Sequence, residues 1–209
     1  MEEKDIHDEL ASIRSMMERS SKFISLSGLS GILAGVYALI GAVIVYLAIQ
    51  GAPVANSNSS IFESLSDLIA VFYTVFITAI VVLIASIATG VILSHRKAKR
   101  KGQSIWGKTS KALLIHMLIP LLTGGLLIVL FLYQGNLGFI VPAMLIFYGL
   151  ALFSAANFTY SEVRFLGVLE ITLGLIAACF PNYGLLFWAL GFGVLHVIYG
   201  SMMYLKYDR

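Results

Sequence analysis

The chain has one cysteine, few charged residues, and no lysine or arginine on one side of its hydrophobic pattern. Each scarcity excludes something. With Cys179 alone there is no intramolecular disulfide and no thiolate metal cluster. Of 209 residues only 12% are charged and 59% are hydrophobic, with a mean hydropathy of +0.91. That is more apolar surface than a soluble domain of this length can bury, so the solvent for most of the chain must be lipid. Catalytic signatures are missing too: there is no H-E-x-x-H, no G-x-S-x-G and no aspartate inside an apolar run. The first 22 residues carry Glu2, Glu3, Asp5, Asp8 and Glu9 around no apolar core, which is not the pattern of a cleavable signal peptide.

What is present is a series of six apolar runs, at about 23–49, 68–93, 112–133, 137–157, 163–180 and 183–205. About 20 apolar residues cross about 30 Å of hydrocarbon as a helix. The expected fold is therefore all-α: a polytopic membrane protein of six transmembrane helices arranged as three antiparallel hairpins. A cytoplasmic amphipathic helix over 1–22 precedes the 23–205 domain, and a cytoplasmic tail, 206–209, follows it. Tight turns at Gln134-Gly135-Asn136 and Pro181-Asn182-Tyr183-Gly184 make spans 3 and 4, and spans 5 and 6, neighbours. The segment between spans 1 and 2 is longer and polar, with Pro53 and Asn56-Ser57-Asn58-Ser59-Ser60. In the N-terminal segment Ile6, Leu10, Ile13, Met17 and Ile24 recur at threes and fours on one helical face. That face can lie on the headgroups, pack on a cytoplasmic partner or continue into span 1.

The basic residues orient the bundle. Lys4, Arg14, Arg19 and Lys22 precede span 1, seven more lie between Arg96 and Lys111, Arg164 follows span 4, and Lys206 and Arg209 close the chain. All fourteen fall on one side, which the positive-inside rule makes cytoplasmic, so both termini face the cytoplasm of a bacterial inner membrane. A net charge of +3 would suggest nucleic acid in a soluble protein, but here the 96–111 loop is placed to meet anionic inner-leaflet lipids, and no nucleic-acid partner is expected. Within that loop Gly102-Gln103-Ser104-Ile105-Trp106-Gly107-Lys108-Thr109 fits the phosphate-binding pattern G-x-x-x-x-G-K-S/T. It lacks the preceding strand and the surrounding α/β domain, so it reads as an interfacial loop with Trp106 at the headgroups.

Ionisable groups inside spans are costly unless paired or hydrated, and are the first place to look for function. The candidates for a proton- or ligand-binding site are Glu170, His196 and the shallower His116. Glu170 lies eleven residues before Pro181 and His196 twelve after Gly184, so a rise of about 1.5 Å per residue puts both about 17 Å below the turn. The two are expected to pair and to titrate as a unit, unless they serve only to fix helix register. Small residues let helices approach closely, and three stripes of them stand out: Gly28, Gly31 and Gly35 on span 1, Gly167 and Gly174 flanking Glu170, and Gly193 and Gly200 flanking His196. They suggest a core of spans 1, 5 and 6. His116 and His196 could bracket a haem, but their depths differ by about 8 Å on helical rise. No cofactor and no metal are expected.

An internal echo accompanies these stripes. Gly31-Ile32-Leu33-Ala34, Gly167-Val168-Leu169-Glu170 and Gly193-Val194-Leu195-His196 share one frame, and Tyr148-Gly149 echoes Tyr199-Gly200. From Phe165-Leu166-Gly167-Val168-Leu169 through Pro181, and from Leu190-Gly191-Phe192-Gly193 through Tyr199-Gly200, the chain resembles the HdeD-like six-helix membrane proteins linked to acid resistance. That resemblance implies a six-helix bundle and a stress-related role and assigns no functional residue; the chain is similar, too, to many small bacterial inner-membrane proteins. Three functions follow as expectations. The first is a non-enzymatic protein with a polar intramembrane site at Glu170 and His196 that takes a proton or small ligand in sensing or transport. The second is an interaction protein that docks a cytoplasmic protein through its N-terminal helix and basic loop, with a homo-oligomer as the alternative assembly. The third is a haem-binding or enzymatic membrane protein using His196 and His116.

Overall fold

The computed structural model describes residues 27–51, 61–100 and 107–208, with backbone alone at 61–64. The expected N-terminal amphipathic helix, the polar segment 52–60 and residues 101–106 of the basic loop lie outside the described residues. Every described element is helical. In chain order they are α1 (Gly28–Gly51), α2 (Ile61–Arg100), α3 (Lys108–Tyr133), a 3-10 turn (Leu137–Phe139) leading into α4 (Ile140–Ala155), and α5 (Glu162–Cys179). A second 3-10 turn (Pro181–Tyr183) opens the last span, which continues as α6 (Gly184–Trp188), a π-helical stretch (Ala189–Leu195) and α7 (His196–Tyr207).

Five of these are long and apolar enough to cross a membrane: Gly28–Gly51, Leu65–Arg100, Lys108–Tyr133, Leu137–Ala155 and Pro181–Tyr207. Helices suit that solvent because each backbone donor and acceptor is satisfied within its own segment. α5 has 18 residues, but Glu162, Arg164 and Glu170 place three charged side chains within it. α2 runs well past the expected 68–93. Nothing between Ser94 and Arg100 stops a helix, since the next glycine is Gly102. Its 40 residues reach about 60 Å, twice the hydrocarbon thickness, so its basic end at Arg96, Lys97, Lys99 and Arg100 stands outside any bilayer its apolar part fills.

The chain divides into two compact units. Among the described residues the first holds 97–100 and 107–175, and the second 27–51, 61–96 and 176–208. In the first, α3 and α4 run antiparallel, with Phe131 near Phe139 at one end, Gly124 against Phe147 in the middle and His116 beside Phe158 at the other. Their connection closes on Gly135, whose φ of +74° no side chain favours. Asn136 N–H donates to the Phe131 carbonyl at 2.8 Å and Gly135 N–H to that of Leu132 at 3.2 Å, the paired bonds that end a helix on a left-handed glycine. α4 also meets α5 through glycine. A methyl on Gly149 would lie 2.6 Å from the Gly167 carbonyl oxygen, and one on Gly174 would lie 2.9 Å from the Ile146 nitrogen. Ala143, Leu145, Ala151, Leu152, Val163 and Leu166 form the buried core.

In the second unit α1 packs antiparallel on the last span. Gly28 meets Gly200 and Tyr204, Gly31 meets Gly200, and Gly35 meets Gly193 and Val197. A methyl on Gly35 would stand 2.6 Å from the Gly193 carbonyl oxygen, closer than real side chains come. α2 covers another side of α1, where Tyr37 and Thr89 share a hydrogen bond of 3.3 Å and Gly41 faces Val82 and Thr78. Ala38, Ala42, Val45 and Met203 are buried. The expectation that spans 1, 5 and 6 form one core is corrected in part, because Gly167 and Gly174 are set against α4. Spacing shows which face of a helix is small; it carries no information about which helix fills that face.

Candidate functional site

Glu170 is fully buried, one of three large side chains with essentially no exposure among the described residues, with Leu145 and Thr159. Its position follows from the glycines on either side. Gly167 and Gly174 bring the α5 backbone against α4, so a residue three positions after the first and four before the second is carried inward on the same face.

His196 is 7% exposed and opens α7 directly after the π stretch. Its Nδ1 lies 3.0 Å from the Gly191 carbonyl oxygen, five residues back. The Phe192 ring is 6.1 Å away and nearly parallel at 27°, and Trp188 follows at 5.9 Å from Phe192, so three rings descend one face of the last span at intervals of four. The glycines Gly193 and Gly200 flank His196 as Gly167 and Gly174 flank Glu170. The windows Gly167–Gly174 and Gly193–Gly200 thus share one spacing, glycine, two residues, an ionisable group, three residues, glycine. Each packs antiparallel on a partner helix of its own unit, α4 and α1 respectively.

His116 is in a different setting. It is exposed on α3, its ring 4.8 Å from that of Phe158 in the connection between α4 and α5. Polar side chains gather near that connection: Arg164 donates to Asn157 Oδ1 at 2.9 Å and covers the Phe153 ring, and the Lys97 ammonium stands 5.7 Å from the centre of Tyr160. Glu170 and His116 belong to the first unit and His196 to the second. Among the described residues no group of three His, Cys, Asp or Glu side chains is arranged to hold a metal ion.

Two features escaped the sequence reading. One is the π stretch, whose only trace in an unbroken apolar run is the pair Gly191 and Gly193. The other is Asp208, whose Oδ2 accepts from Gly28 N–H at 2.7 Å and from Ser27 Oγ at 3.1 Å, joining the chain's end to the start of α1.

The fold and these sites define an all-helical protein with several helices fit to cross a membrane and two ionisable residues buried on glycine-flanked faces. Compared with protein families, curated proteins and solved structures, the chain matches none.

Proposed function

We propose that the chain is a six-span protein of the bacterial inner membrane, built as three antiparallel hairpins with both termini cytoplasmic. In this reading α5 is the remaining span and Glu170 and His196 serve a polar intramembrane site. The site binds a proton or a small ligand in sensing or transport, without covalent chemistry. The basic ends of α2 and α3, from Arg96 to Arg100 and at Lys108 and Lys111, lie against anionic lipids of the inner leaflet.

The observation that carries this reading is the complete burial of Glu170 on a helix apolar enough around it to leave lipid as its alternative surroundings. A carboxyl there is costly unless it is paired or hydrated, so its place in the fold calls for a role. The same argument applies to His196 at 7% exposure. The repeated glycine spacing around each supports a common role, since each unit presents one ionisable group in the same local frame.

Thermal unfolding of detergent-purified protein tests the reading across about pH 5 to 8, where a histidine-containing site changes charge. The expected result is a midpoint that varies with pH in the wild type and loses that variation in Glu170→Gln. Parallel, flat profiles would refute a titrating site. Pairing of the two groups has its own test. A double-mutant cycle of Glu170→Gln and His196→Ala should give a coupling above about 0.5 kcal/mol, whereas additive effects would separate them. The HdeD-like resemblance selects acid challenge as the growth condition in which the same variants are compared in cells.

A further inference from the structure

Among the described residues the only π-helical stretch, Ala189–Leu195, ends one position before His196. A π turn places one extra residue in an α-helix, is rare, and gives up good hydrogen-bond geometry, so its position next to a buried imidazole calls for a cause. Local sequence permits it: Gly191 and Gly193 lack the side chains that would crowd a widened turn, and Gly193 is further held by α1, since a methyl there would lie 2.6 Å from Leu39 Cδ2.

The consequence is visible at the ring. Nδ1 of His196 lies 3.0 Å from the Gly191 carbonyl oxygen. A carbonyl oxygen can only accept, so Nδ1 carries the hydrogen and donates it. In a neutral imidazole with Nδ1 protonated, the lone pair is on Nε2. Phe192 lies nearly parallel to the ring at 6.1 Å, with Trp188 beyond it at 5.9 Å.

We infer that the π stretch is a positioning device, which aims the Gly191 carbonyl at Nδ1 and so makes Nε2 of His196 the accepting atom of the site. Gly191 is the positioning residue, acting through the ring. The ligand class follows. An accepting Nε2 takes a proton, a hydrogen-bond donor or a metal cation, and does not bind the carboxylate or phosphate oxygens that an Nε2–H would select. This deepens the proposed function and rests on His196 belonging to a binding site.

The test is nitrogen-15 NMR of the full chain with labelled histidine, in lipid nanodiscs with the ring neutral, the His196 lines being assigned by their loss in His196→Gln. The expected spectrum has Nδ1 protonated and Nε2 unprotonated. A protonated Nε2 overturns the inference and with it the ligand class, whatever the unfolding profiles show. Deletion of Leu190, which removes the extra residue and returns the stretch to α geometry, should shift His196 toward the other tautomer; an unchanged tautomer in that variant removes the π stretch as its cause. The wild-type spectrum stands by itself if the deletion variant does not fold. Repeating the wild-type measurement with Zn²⁺ tests the cation part of the class, a moved Nε2 line placing the metal on that atom and an unmoved one removing metal cations from the class. If Nε2 is unprotonated and the unfolding of the Glu170 and His196 variants is flat with pH, the functional reading fails and the tautomer assignment survives.

Discussion

Asp208 supplies to α1 what its neighbours in sequence do not. The first turn of α1 contains no acidic residue, and its first N–H groups have no partner within the helix. The Asp208 carboxylate accepts one of them, from Gly28, and the Ser27 hydroxyl beside it, placing negative charge where a helix dipole favours it. Asp208→Ala should lower stability by about 1 kcal/mol, within the roughly 0.5–2 kcal/mol range of lost helix caps. Asp208→Asn should lose less, because it keeps the accepting oxygen. Chemical denaturation of both variants in the same detergent checks the order. No sequence pattern announces this cap, since 180 residues separate donor and acceptor. Glu170 and His196 were legible for the opposite reason: an ionisable residue stands out in the middle of an apolar run, whereas the tautomer of the imidazole depends on where one backbone carbonyl points.

At the scale of elements, glycines of identical chemistry differ by what stands opposite them. Gly35 faces the Gly193 carbonyl and Val197, while Gly125, on α3, has nothing within 4 Å of where a methyl would be. Gly35→Ala should therefore cost about 1–3 kcal/mol, as overpacking of a close contact does. Gly125→Ala should be neutral or stabilise by up to about 1 kcal/mol through helix propensity. Thermal midpoints of the pair decide the matter, and equal losses would mean that the α1 contact with the last span is not the tight one. The faces holding Gly28, Gly31 and Gly35, and Gly193 and Gly200, could be read from spacing alone. The partner of Gly167 and Gly174 could not, because several small-residue faces compete in one chain and periodicity ranks none of them. The length of α2 was underread for a similar reason: the hydrophobic pattern ends near Leu93, but a helix stops only where a residue stops it.

For the whole molecule the open quantity is orientation, and the single cysteine reports it. Cys179 is exposed and ends α5 two residues before Pro181. If the basic residues face the cytoplasm, a membrane-impermeant maleimide should label Cys179 in intact spheroplasts and should fail to label it in sealed inverted vesicles. The reverse pattern would invert the proposed topology. The overall class was legible because 59% hydrophobic residues over 209 positions leave few alternatives. The division into two units was not, since each unit draws on segments whose composition is the same.

The contact between α1 and the last span has a consequence for how the protein is made. Gly35 is synthesised well before its partners Gly193 and Val197. At about 5–20 residues per second, roughly 10–30 s pass between their appearance. If α1 inserts as it is made, its glycine face spends that interval against lipid or the insertion machinery, in place of the helix it was shaped for. A ribosome stalled short of Gly193 leaves that face without its partner, and mutations that widen it will act on newborn chains before they act on finished ones.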